Sequence, residues 1–195
     1  MKTLHLLALP AIAFGSFSCT SIDGVSETSA IIEEGVPGGE FAETTTITAT
    51  VTGIDASKRE LTFVSPKGKK FRTVAGAEVL NFEQIKIGDQ LKATLTDEVT
   101  VRMAKPEEQL SEYATFEAEM AKRNAKPGMQ TVETSQAVAT ITDINTKRRK
   151  VKLTFSDGKS KRVKVRSDID LSAIKVGDRV VIRVTETVAI GLEKP

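Results

Sequence analysis

Residues 174–190, IKVGDRVVIRVTETVAI, repeat residues 85–101, IKIGDQLKATLTDEVTV, with the same order of apolar run, glycine–aspartate pair and alternating tail. Moving outward, Thr50, Thr52, Ile54, Arg59, Gly68 and Lys69 recur ninety residues later as Thr140, Thr142, Ile144, Arg149, Gly158 and Lys159. Val74, Ile85, Lys86, Gly88, Asp89, Thr96 and Val99 recur eighty-nine residues later as Val163, Ile174, Lys175, Gly177, Asp178, Thr185 and Val188. One deletion near residue 161 reconciles the two offsets. Two copies are too few to stack as a solenoid, so the expected arrangement is two tandem domains, 45–103 and 137–192.

Within each copy the apolar period is two. Ile47, Ala49 and Val51 alternate with threonines, as do Leu91, Ala93 and Leu95 with Lys92 and Thr94. Ala139 and Ile141, Val151, Leu153 and Phe155, and Val180, Ile182 and Val184 follow the same rule. That pattern marks half-buried antiparallel strands. Turns at Ser65-Pro66-Lys67-Gly68 and Ser156-Asp157-Gly158-Lys159 separate them. About five strands per copy predict an all-β protein of two small five-strand antiparallel barrels of OB or SH3-like type. The glycine–aspartate pairs read as turns: glycine for positive φ, aspartate for bonding turn amides, with Ile85, Ile87, Ile174 and Val176 packed inward.

The connector, 104–136, carries the one expected α-helix, Pro106 to Lys126. Proline suits its first turn, early acids and late bases suit its dipole, and Pro127-Gly128 ends it. Tyr113, Phe116 and Met120 would form the stripe that docks on a barrel.

The chain begins with Lys2, then an apolar run from Leu4 to Phe17, then small residues and its only cysteine, Cys19. This order is that of a secretory signal, 1–18, and its apolar part is too short to remain as a membrane anchor. The lone cysteine behind it resembles the lipobox of bacterial lipoproteins, which implies lipidation of Cys19 and attachment to a membrane. By resemblance to Gram-negative sorting patterns, Thr20 after the cysteine implies a periplasmic protein on the outer membrane. Cleavage at Ala11-Ile12-Ala13 or Ser16-Phe17-Ser18, leaving a free thiol, is the second reading. Residues 20–44 hold six acids and no base, so 19–44 reads as a flexible acidic tether.

Subtraction narrows the chemistry. The only histidine, His5, lies in the leader, and tryptophan is missing. Serine–histidine and cysteine–histidine catalysis and a zinc site of imidazole and thiolate are thereby excluded. No cofactor is expected, and the expected class is non-catalytic. The repeats are somewhat similar to small periplasmic barrels that carry copper and silver, which keeps a metal or small-ligand carrier as the alternative. Those use histidine, methionine and tryptophan, whereas Met103, Met120 and Met129 cluster here around the connector.

Charge is uneven. Residues 137–191 hold thirteen Lys and Arg against six Asp and Glu. With Val151, Leu153, Val163 and Val165 inward, Lys150, Lys152, Arg162, Lys164 and Arg166 face outward on neighbouring strands. Facing like charges repel, so these five are the candidate anion-binding residues. Anionic lipid, lipopolysaccharide or an envelope protein is the expected partner. Nucleic acid is not, because base stacking needs exposed aromatics and Phe155 is directed inward. Over residues 45–192, Thr50–Asp55, Asn81–Asp89 and Thr185–Ile190 are similar to the motifs of uncharacterised exported bacterial proteins with two such repeats. That resemblance implies an envelope binding or scaffolding module and assigns no residue a role.

Overall fold

Period-two alternation produces strands throughout the residues that the computed structural model describes, 24–77, 79–122, 125–167 and 169–194. The expected leader and Cys19 lie outside them. The strands are β1 (Gly24–Ile31), β2 (Gly38–Asp55), β3 (Glu60–Val64), β4 (Lys70–Val74), β5 (Gln90–Met103), β6 (Tyr113–Met120), β7 (Gly128–Asn145), β8 (Lys150–Phe155), β9 (Ser160–Lys164) and β10 (Arg179–Glu193). They form one open antiparallel sheet in the order β4-β3-β2-β5-β10-β7-β8-β9, with β1 against β2 and β6 against β7. The protein is all-β, and each repeat supplies five strands.

Two separate closed barrels are not what the pairing gives. β5 and β10 zip together from Val180 opposite Met103 to Glu193 opposite Gln90. At 14 and 15 residues they are far longer than the common strand of about 5–6 residues, and the surplus crosses from one repeat to the other. β2 and β7 span 18 residues each. Their first parts join the central sheet, and their last parts carry the short strands β3 and β8.

The expected connector helix is a strand. In β6, Ala114, Phe116, Ala118 and Met120 alternate with Thr115, Glu117 and Glu119, and pairing with β7 selects that period over the helical one. The acids that would have capped a helix do other work. Glu108 accepts two bonds from Arg102, at 2.9 and 2.6 Å, and Glu112 accepts from Val138 N and Ser156 Oγ. The supposed tether is likewise ordered from Gly24 on. β1 lies along β2 from Gly24 opposite Ile47 to Ile31 opposite Glu40. β1 therefore corresponds to β6, and the first repeat begins before residue 45.

Register corrects the internal alignment as well. Val74 faces Glu60 where Lys164 faces Lys150, so Val74 corresponds to Lys164 and Thr73 to Val163. Arg59 donates to the carbonyl of Val79 and Arg149 to that of Ile169, again ninety residues apart. The missing residue thus lies between Ile169 and Leu171, the counterpart of Phe82, and not near 161. A slip of one residue reverses the face of every side chain. Val74 accordingly is 64% exposed, while Val163 packs against the second core.

Each repeat has its own core, and each core borrows from the other repeat. Ala49, Val51, Leu61, Phe63, Phe82 and Ile85 enclose Leu192 of β10. Ala139, Ile141, Val151, Leu153, Leu171 and Val180 take Val101 and Met103 of β5. The glycine–aspartate turns dock on these cores. Gly88 and Gly177 have φ of 96° and 99°. Asp89 accepts the Lys86 amide at 2.9 Å and Asp178 the Lys175 amide at 2.7 Å. Of the four expected inward residues, Ile85 and Ile174 pack inward, whereas Ile87 and Val176 are exposed because they sit at the turn's outer corner.

Candidate anion-binding face

The β8–β9 hairpin arranges four of the five predicted basic residues in two rungs. Lys150 stands directly opposite Lys164, and Lys152 opposite Arg162. Val151, Leu153 and Val163 occupy the alternate positions and enter the core, which turns the cations to the opposite face. Arg166 lies beyond β9, apart from these rungs, with its guanidinium 5.2 Å from the ring centroid of Phe41. The structure thus groups Lys150, Lys152, Arg162 and Lys164 and places Arg166 at their end.

Counter-charge on this face is sparse. Arg162 reaches Asp143 at 3.5 Å, and both side chains are more than half exposed, so the pair is worth little. Asp143 also stands opposite Lys152 across β7 and β8, whereas among the described residues Lys150 and Lys164 have no acidic partner. Open sheet edges are commonly blunted by cations, and β9 is an edge strand, which accounts for Arg162 and Lys164. Lys150 and Lys152 sit one strand further in, where edge protection offers no reason for them. In the first repeat the same four positions are Glu60, Thr62, Arg72 and Val74, with Arg72 and Glu60 3.5 Å apart. One fold therefore carries a mixed hairpin and an all-cationic one.

Arg149 is not part of the free positive surface. At φ 48° its backbone turns back, and its guanidinium donates to the carbonyls of Val165, Arg166 and Ile169. Arg59 does the same for Ala75, Gly76 and Val79. Arg149 thereby fixes the loop after β9, which carries Arg166.

A second charged group escaped sequence reasoning. Glu43, Asp97, Glu186 and Glu133 are directly opposed across β2, β5, β10 and β7, and opposed residues share a face. Asp97 Oδ1 is buried with no hydrogen-bond partner among the described residues. Burial, then the neighbouring Asp97 and Glu133, raise the Glu186 carboxyl above the ordinary glutamate range. The only signal in the sequence was that Glu43 and Glu133 lie ninety residues apart and Asp97 and Glu186 eighty-nine. Among the described residues no three His, Cys, Asp or Glu side chains are placed to hold a metal ion, and no helix is long and apolar enough to cross a membrane.

Compared with known proteins, the chain matches no family model, no curated protein and no solved structure.

Proposed function

We propose that this is an exported protein, anchored through a lipid on Cys19, that acts as a non-catalytic binding module of the cell envelope. Its second repeat takes anionic envelope components, anionic lipid or lipopolysaccharide, on Lys150, Lys152, Arg162, Lys164 and Arg166. The observation that supports this is the pair of like-charged rungs, Lys150 against Lys164 and Lys152 against Arg162. Directly opposed like charges destabilise a sheet, and an anionic partner relieves that repulsion.

The test is flotation of the purified protein with vesicles of phosphatidylglycerol or of phosphatidylcholine. Each basic residue near an anionic membrane contributes about 1 kcal/mol and is screened by salt. Binding is expected for phosphatidylglycerol alone, to weaken with salt, and to disappear on neutralising Lys150, Lys152 and Arg162. Equal binding to both vesicles at low salt would reduce the hairpin to a solvated face. For the anchor, acyl mass on Cys19 and release from membranes in Cys19→Ser are the expected results.

A further inference from the structure

The two cores are built on one plan and filled differently. In the first, Phe63 and Phe71 stack with ring centroids 5.2 Å apart, and the Arg59 guanidinium lies 4.6 Å above the ring of Phe82. By register and sequence offset, the corresponding residues of the second repeat are Leu153, Lys161 and Leu171. No aromatic ring stands at any of the three. Both cores open at equivalent places, into a cavity of 220 Å³ in the first repeat and 280 Å³ in the second. The second is lined in its depth by aliphatic side chains, Val151, Leu153, Leu171 and Val180 among them. Its size lies near the lower bound of ordinary small-ligand sites, about 300–1,000 Å³.

The mouths differ in charge. On the first cavity the end of β4 and the loop after it contribute Val74 and Gly76. At the same positions the second has Lys164 and Arg166, with Arg166 laid over Phe41, which comes from the other repeat. A shallow hollow lined by Arg149, Lys164 and Arg166 adjoins this mouth. Among the described residues the acid lining this mouth is Asp170, which accepts the Ser172 amide at 2.8 Å and its hydroxyl at 2.9 Å and is also attracted by Arg149. An apolar interior with cations at its opening matches a molecule with an apolar tail and an anionic head.

We propose that this cavity binds a single-chain anionic amphiphile, with the end of an alkyl chain between Leu153 and Leu171 and a carboxylate or phosphate head at Lys164 and Arg166. The inference deepens the function proposed above and rests on its cationic second repeat. The vesicle face and the cavity are nevertheless separable, because Lys150 and Lys152 do not line the cavity.

The first repeat supplies the test. The purified protein is titrated with decanoate, with decyltrimethylammonium and with acetate, followed by methyl and amide NMR shifts. Decanoate is expected to saturate with shifts centred on Leu153 and Leu171, and the other two to cause none there. Leu153→Phe with Leu171→Phe installs the first repeat's rings at sites where the fold already accommodates them. It is expected to weaken decanoate at least tenfold while leaving phosphatidylglycerol binding intact. Lys164→Val with Arg166→Gly, which gives the mouth the first repeat's residues and keeps Leu153 and Leu171, is expected to weaken decanoate about tenfold, the worth of one charge-assisted hydrogen bond. Equal binding of decyltrimethylammonium, or undiminished decanoate binding by the phenylalanine variant, overturns the proposal. Decanoate binding without vesicle binding would overturn only the vesicle face. Vesicle binding without decanoate binding would overturn only the cavity.

Discussion

Asp97 on β5 lies directly opposite Glu186 on β10, and the two are the same position of the repeat. The internal two-fold relation of the molecule therefore passes between these two carboxylates. Any residue at that position meets its own counterpart, so an acid there is met by an acid. Glu43 and Glu133 extend the row on either side.

Glu186→Gln is accordingly expected to stabilise the protein. Like charges directly opposed cost about 0.2–1 kcal/mol, or a rise of roughly 1–3 °C in Tm at neutral pH. The sign against pH follows from the raised folded-state pKa. The folded state holds this proton more tightly than the unfolded one, so the stabilisation is present below the ordinary value of 4.5 and is lost as pH rises through the raised one. Thermal melts should show the advantage of Glu186→Gln at neutral pH and its disappearance in acid.

Glu108 behaves in the opposite sense. The Arg102 guanidinium, then the Lys105 amide, hold its carboxyl down to about 2. Its contribution is present above 4.5 and lost as pH falls toward about 2. The segment 104–112, which Arg179 also grips through the carbonyls of Lys105, Pro106 and Glu108, should loosen over that window. Backbone ¹⁵N relaxation is the measurement. Glu108→Gln should show the loosened segment already at neutral pH.

Neither repeat should fold as an isolated monomer. The second core takes Val101 and Met103 from β5, and without β5 one whole edge of β10 is left unpaired. A fragment of residues 113–195 is expected to dimerise, β10 against β10, with the two copies of Glu186 facing each other. Sedimentation and circular dichroism would show a β-rich dimer that dissociates and unfolds together. A stable folded monomer would contradict the borrowed core.

Gly177→Val should destabilise by about 1–3 kcal/mol. A Cβ at Gly177 meets nothing within 4 Å, and φ is +99°, so the cost is backbone strain and not collision. Gly177→Asn should cost less, because asparagine tolerates positive φ. Urea denaturation with an unchanged slope would identify the change as one of stability alone.

Legibility followed periodicity and failed where two periods compete. The repeat, the alternating runs and the role of Gly88, Asp89, Gly177 and Asp178 are all local, and all could be read. β6 was hidden because Tyr113, Phe116 and Met120 also fit a helical spacing, and Pro106 and the early acids imitate a helix start. β1 was hidden by the acids and glycines around it, since an edge strand needs few apolar residues. The pairing of Val74 with Val163 failed because matching letters do not report facing direction; only the opposite partners, Glu60 and Lys150, do. The outward cations of β8 and β9 were legible from alternation. The cavity behind Lys164 and Arg166 was not, because Phe41 arrives there from the other repeat.

The position of β10 has a consequence in time. Of the ten described strands it is made last, and it lies in the middle of the sheet, between β5 and β7. While the chain grows, the first nine strands can form only two unfinished sheets, each with a long unpaired border. Neither core is closed at that stage, since one waits for Leu192 and the other for Val180. The sheet is therefore closed by a wedge driven home, and chains that stop short of it expose both borders at once. A sheet so built carries its own check: only a chain extended through β10 has neither of these borders left for a chaperone or a protease to grasp.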